Sequence, residues 1–178
     1  MPKLFAVMLG GNCAPRSHTE LHDVVFVAGE RIEDTWDDLL AAWFGTPDGL
    51  HVDSWWELRA VDGHRVTLAR DAGAGAARLF FVNLGGYRDG VFAEAHANTF
   101  VVAADADEAK ARAKASLLRG FDEVHTDDLH DVDDCLEIGE VAGWRVVLEA
   151  DPSAAPAAPV NGWLPLPEDA IRRFKQRS

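Results

Sequence analysis

The strongest constraint on this 178-residue chain is that its pattern occurs twice. Leu4-Phe5-Ala6-Val7-Met8-Leu9-Gly10-Gly11 returns as Leu79-Phe80-Phe81-Val82-Asn83-Leu84-Gly85-Gly86, an offset of 75 residues. Glu20-x-His22 ahead of Phe26-Val27 returns as Glu94-x-His96 ahead of Phe100-Val101, and His51-x-Asp53 returns as His125-x-Asp127, both at an offset of 74. Glu57, Val61, Gly63, Arg65, Val66 and Leu68 return as Glu137, Val141, Gly143, Arg145, Val146 and Leu148 at an offset of 80, which places a six-residue insertion after Asp127. Such a chain must be built from two like units in series: residues 1–70, a Gly/Ala linker at 71–77, and residues 78–150. A Pro/Ala-rich segment and a tail, 151–178, follow; the tail carries Trp163 and a short basic helix opening at Pro167.

Each half reads as strand, long loop, strand, helix, loop, hairpin. The first strand spans about Lys3–Leu9 and is expected to stop at its two glycines. Val24–Ala28 is apolar on both faces, the signature of a central strand. Ile32, Trp36, Leu39, Leu40 and Trp43 carry helical spacing up to Gly45. The second helix opens on a capping box, Asp105 with Glu108, and is expected to stop at Gly120; Arg31 holds the matching cap position in the first half. Alternation of Trp56, Leu58 and Ala60 against His64, Val66 and Leu68 implies a three-residue hairpin loop, Val61-Asp62-Gly63. That register sets Glu57 diagonal to Arg65 and Glu137 diagonal to Arg145, as cross-strand ion pairs. The expected fold is α+β: two ββαββ repeats related by a pseudo-twofold, a mixed sheet, and helices on one face.

The topology also predicts where the repeated polar residues meet. With the first two strands antiparallel and the third starting at the same end as the second, Gly10-Gly11, Glu20, His22, His51 and Asp53 converge at one sheet edge. Glu94, His96, His125 and Asp127 converge likewise in the second half. Alternation places Glu20 and His22 on the face of Phe26, the expected core face. Two imidazoles and two carboxylates suit a divalent ion such as Zn, Mn or Fe, which could acidify a bound water. The same residues could instead brace the long loop by hydrogen bonds, or hold some other ligand. Ligand sites favour the carboxyl ends of parallel strands, whereas this edge is an amino end. Gly10-Gly11 lacks the helix and Lys of a phosphate loop and reads as a tight strand exit. The acidic run Asp122 to Asp134 lacks the glycine and final Glu of a calcium loop and reads as solvated. Cys13 beside His18 has no counterpart in the second half and reads as incidental.

Composition excludes several partners. The net charge of −13 leaves no basic footprint for nucleic acid and disfavours anionic membranes. The opening apolar run is too short for a signal core or a membrane span, and it recurs internally, as a strand would. Two cysteines at non-equivalent positions fit a reduced cytoplasmic protein, and a homodimer is among the assemblies the sequence allows.

The LFxVxLGG opening, ExH before an FVVA-like strand, HxD, and the closing VxG hairpin resemble domain of unknown function 1543. The resemblance covers about Lys3 to Glu149, in two tandem copies, and leaves the tail outside. It implies a bacterial protein and supplies no catalytic residues. The halves differ at Asp23, which becomes Ala97, and in the acidic insertion. The reading favoured by the sequence is a non-enzymatic binding or interaction module with a structural His/carboxylate network. Its rival is a divalent-metal-dependent, hydrolase-like enzyme using the repeated ExH and HxD residues.

Overall fold

The computed structural model describes residues 1–13, 17–71, 73, 75–87, 89–117, 123–125 (backbone only) and 135–177. The chain forms two compact units: one holds 1–60, 141–144 and 155–178, the other 61–140 and 145–154.

The first unit is built on β1 (Lys3–Gly11), β2 (Leu21–Gly29) and β3 (His51–Glu57). Between β2 and β3 lie a 3-10 turn, Ile32–Thr35, and α1 (Trp36–Ala42). The tail adds β12 (Val160–Pro165) and α3 (Glu168–Arg177). Sheet order is β12-β3-β1-β2, so β1, not β2, is central, and β2 is an edge strand. Every described strand pair is antiparallel, so the expected mixed sheet is not formed. The reason lies in the helical crossover: it carries β3 to the far side of β1, so β2 and β3 run the same way without touching.

Phe5, Val7 and Leu9 of β1, Val25 and Val27 of β2 and Val52 of β3 form one buried face. Ile32, Leu39, Leu40 and Trp43 cover it, together with Leu166 and Ala170 of the tail. Burial of this apolar area is the main force holding the unit together. The buried face of β2 is therefore that of Val25 and Val27, and Phe26 is only half-buried on the other. His22, two and four residues from Val24 and Phe26, shares their side rather than the core. The helix opens poorly, as Arg31 implied: its side chain makes no cap, and its N–H donates to Asp34 Oδ2 at 3.0 Å.

The second unit repeats the first three strands. β6 (Arg78–Tyr87) pairs with β7 (Ala95–Ala103) on one side and with β8 (Glu123–His125) and β9 (Cys135–Glu137) on the other. α2 (Ala106–Leu117) sets Ala109 and Ala113 against Phe80, Val82, Leu84, Val101 and Ala103. Its expected cap forms on one side and shifts on the other: Glu108 N–H donates to Asp105 Oδ1, while Glu108 Oε2 accepts from the N–H of Ala104, one residue before Asp105, both at 2.9 Å. Gly120, its expected stop, lies outside the described residues.

β4 (Ala60–Val61), β5 (His64–Ala69), β10 (Glu140–Val141) and β11 (Trp144–Ala150) form the remaining sheet, in order β10-β11-β5-β4. The expected three-residue loop is a two-residue one. Asp62 and Gly63 both have positive φ, 49° and 69°, as do Ala142 and Gly143, 50° and 73°, the signature of primed hairpin turns. The register argument failed because the strand is not continuous. The chain leaves β3 at Glu57, bends at Leu58-Arg59, and enters a different sheet at Ala60, so the two faces need not match. The expected ion pairs fail with it. Glu57 takes Lys3 at 3.0 Å and Glu137 takes Arg78 at 3.2 Å, a bridge repeated at equivalent positions. Arg65 takes Asp151 at 2.6 Å. Among the described residues, no helix is long and apolar enough to cross a membrane, and Cys13 and Cys135 are free thiols.

Candidate functional site

The four residues proposed in the first unit do come together. In the central strand Gly10 is opposed by His22 of β2 and by His51 of β3, so two imidazoles flank a residue with no side chain. β1 runs through both glycines; the expected tight exit is absent. Their role is steric. A Cβ on Gly10 would stand 2.6 Å from His51 Nε2 and 2.7 Å from Asp53 Oδ2, and one on Gly11 would meet Trp43 at 3.1 Å.

A β-bulge completes the group. Leu9 opposes Val52 and Met8 opposes Ser54, which leaves Asp53 unopposed and turned toward the histidines. Asp53 Oδ2 is 3.1 Å from His22 Nε2, and Asp53 Oδ1 is 3.4 Å from His51 Nε2. Glu20 Oε1 is 3.2 Å from His51 Nε2, and Glu20 Oε2 is 3.8 Å from His22 Nε2. His51 is 5% exposed, while the side chains of Glu20 and His22 are 43% and 49% exposed, so the cluster has a buried floor and an open mouth.

The distances permit hydrogen bonds, but the directions do not. Asp53 Oδ2 is buried and has no hydrogen-bond partner despite the imidazole nitrogen beside it. His51 shows why. Its Nδ1 is 2.9 Å from the carbonyl of Gly49, which can only accept, so Nδ1 carries the proton. In the neutral ring Nε2 is then a bare lone pair, facing the oxygens of Glu20 and Asp53. Lone pairs facing lone pairs call for a second proton or a cation between them. Among the described residues, no group of three or more His, Cys, Asp or Glu side chains is placed so that it could hold a metal ion. The wide Glu20–His22 separation marks the side chain that would have to turn.

The second unit repeats the backbone of this site. Gly85 is opposed by His96 and by His125. β8 ends at His125 and β9 starts at Cys135, so the six-residue insertion enters where the first unit has its bulge. His96 Nε2 is 3.6 Å from Glu94 Oε2. Its Nδ1 is 3.0 Å from Asn83 Oδ1, and Asn83 Nδ2 donates to Asn98 Oδ1 at 2.7 Å. Met8 and Val24 hold these two positions in the first unit, so the halves fix their histidines differently. The side chain of His125, Asp127 and most of the acidic run with His130 lie outside the described residues.

The rule about carboxyl ends of parallel strands has no force in an antiparallel sheet, which has no common carboxyl end. Cys13 packs half-buried against the first core. Sequence reasoning missed Gly10 as the space between the histidines, Gly49 as the group orienting His51, and Trp163. The ring of Trp163 lies 5.8 Å from that of His51, tilted by 51°. Gly10 had a signal, since glycine faces the repeated histidines in both halves. A backbone carbonyl such as that of Gly49 leaves none.

No curated protein matches the chain. The crystal structure of a protein Il1583 from Idiomarina loihiensis is similar to it: 38% identity, TM-score 0.74, covering 94% of this chain and 99% of that one. Residues 17–68 and 91–148 match the family described as Domain of Unknown Function (DUF1543), one segment for each repeat. Two copies of that domain in tandem make up most of the molecule, and the chain belongs to the DUF1543 family.

Proposed function

We propose that the first unit is a divalent-cation site held by Glu20, His22, His51 and Asp53 and open to solvent. The observation that carries this reading is the buried, unpartnered Asp53 Oδ2 beside an imidazole nitrogen. A network whose purpose was bracing would satisfy that oxygen, because a buried acceptor without a donor costs about 1–3 kcal/mol. The separations also suit a shared ion. Donor atoms about 2.1 Å from an ion lie about 3.4 Å apart in a tetrahedron and about 3.0 Å apart in an octahedron. Three of the four separations, 3.1, 3.2 and 3.4 Å, fall in that interval; they run to both oxygens of Asp53, and the fourth, 3.8 Å to Glu20 Oε2, lies outside it. The mixed nitrogen and oxygen set suits Zn or Mn, and the half-exposed Glu20 and His22 leave room for water or ligand, as catalytic rather than structural ions require. The chemistry such an ion supplies is the acidification of a bound water.

The test is calorimetric titration of untagged protein with Zn²⁺ and Mn²⁺, with elemental analysis after dialysis. One equivalent bound by the first unit, lost in His22→Ala, is the expected result. His22 is exposed, so its removal spares the fold, and His51→Gln provides a second variant that fills the buried position. If neither metal binds, and both variants merely melt earlier, the cluster is a brace.

A further inference from the structure

We infer that Asn161 is a self-modifying site: in the folded protein its side-chain amide is lost to attack by the Gly162 backbone nitrogen, leaving mainly isoaspartate within β12. This stands apart from the cation reading above. Residues 161–162 are the only Asn-Gly pair in the chain. β12 is the outer strand of its sheet, paired on one side alone, with β3. Val160 and Asn161 oppose Trp55 and Ser54, and the next ladder pair is Leu164 with Val52, so Gly162 and Trp163 form a bulge outside the register.

A ladder holds a strand's amide nitrogen in place, whereas a bulge leaves it free to turn toward the preceding side chain. Asn161 and Gly162 are both exposed, and the Asn161 carboxamide makes no hydrogen bond among the described residues. Gly162 has no Cβ to hinder the approach, and its φ of 155° is one that other residues rarely adopt. The chain supplies its own controls. Asn12 is exposed too, but Cys13 follows it. Asn83 and Asn98 precede Leu84 and Thr99, oppose each other in the β6–β7 ladder, and share a hydrogen bond of 2.7 Å.

The step needs only water. Gly162 N gives up its proton to solvent and bonds to Asn161 Cγ; the Cγ–NH2 bond breaks, and ammonia leaves with that proton. The resulting five-membered imide takes up one water. Opening at Cγ restores an ordinary backbone with aspartate, while opening at the main-chain carbonyl routes the chain through the former side chain as isoaspartate. The second product adds a backbone atom to β12. Leu164, Leu166 and Ala170 are packed against or buried in the core, so the misfit falls on Val160 to Trp163. The ring of Trp163, beside that of His51, is what shifts.

The experiment ages the full folded chain for several days in mildly alkaline buffer, with a urea-unfolded sample in parallel. Peptide mass spectrometry then maps amide loss and separates isoaspartate from aspartate. In the folded protein Asn161 should convert at least about tenfold faster than Asn12, Asn83 or Asn98, and at a rate comparable to that in the unfolded chain. Aged wild type should lose its tail to protease sooner than Asn161→Asp, which carries the new charge on an ordinary backbone. Asn161→Gln should neither convert nor age. If the folded protein keeps the Asn161 amide while the unfolded chain loses it, β12 protects the bond and the site is overturned. Equal conversion at the other asparagines would overturn it as well, since the bulge would then select nothing. Equal protease sensitivity of aged wild type and Asn161→Asp would overturn the displacement of β12.

Discussion

Gly10 sits directly opposite His51 across the β1–β3 ladder, and a single methyl group on it would reach to 2.6 Å from His51 Nε2. The same methyl would stand 2.7 Å from Asp53 Oδ2, so the site depends on a hydrogen atom where other residues have a side chain.

Gly10→Ala should therefore lower stability by about 1–3 kcal/mol, the usual cost of forcing an extra carbon into a filled space. The backbone ladder needs no glycine here, so the variant should fold with wild-type far-UV circular dichroism. Cation affinity should fall at least about tenfold as His51 or Asp53 is pushed aside. Calorimetric titration with Zn²⁺ decides the matter: unchanged affinity would mean that the two side chains are not ligands together.

Asp62 joins the second unit's hairpin turn to its sheet. Its Oδ2 accepts from Val102 N–H at 2.8 Å and from Arg112 Nη2 at 3.0 Å, while its own φ is 49°. Asp62→Ala leaves the Val102 amide without its acceptor and puts a poor residue in the left-handed region, an expected loss of about 1–3 kcal/mol. Asp62→Asn keeps both the acceptor and the left-handed preference and should lose less. Urea midpoints for the two variants read the difference; equal losses would show that charge, not the acceptor, is what counts.

Asp151 gives the pH dependence. Hydrogen bonding from the Ser153 hydroxyl, and then from the Arg65 guanidinium, holds its carboxyl down at about 2, and the Arg65 guanidinium is raised in turn. A depressed carboxyl stabilises the fold at any pH above its unfolded value, about 3.9, and that contribution disappears as pH falls through the folded value. The melting-temperature gap between wild type and Asp151→Asn should thus be constant above about pH 5 and close between about pH 4 and pH 2. A gap that persists at pH 2 would assign the effect to something other than the carboxylate's charge.

The repeat was legible without coordinates, since Leu4–Gly11 and Leu79–Gly86 agree at six of eight positions. So was the convergence of His22 with His51, because strand direction alone puts both at the same end of β1. The Asp105–Glu108 cap was legible for the same reason: caps and periodicities are local, written within a few residues of where they act.

What the tertiary structure decided is which neighbour each side chain meets. Lys3 rather than Arg65 reaches Glu57, and Val25 rather than Phe26 faces the core. The chain changes sheets at Leu58-Arg59, so apolar alternation on either side carries no common register. Trp163 comes from the end of the chain to stand by His51 because β12 pairs beside β3, a choice made by burial of Leu164, Leu166 and Ala170 in a core more than a hundred residues earlier in sequence. Local pattern sets what an element is; the packing free energy of distant residues sets what it touches.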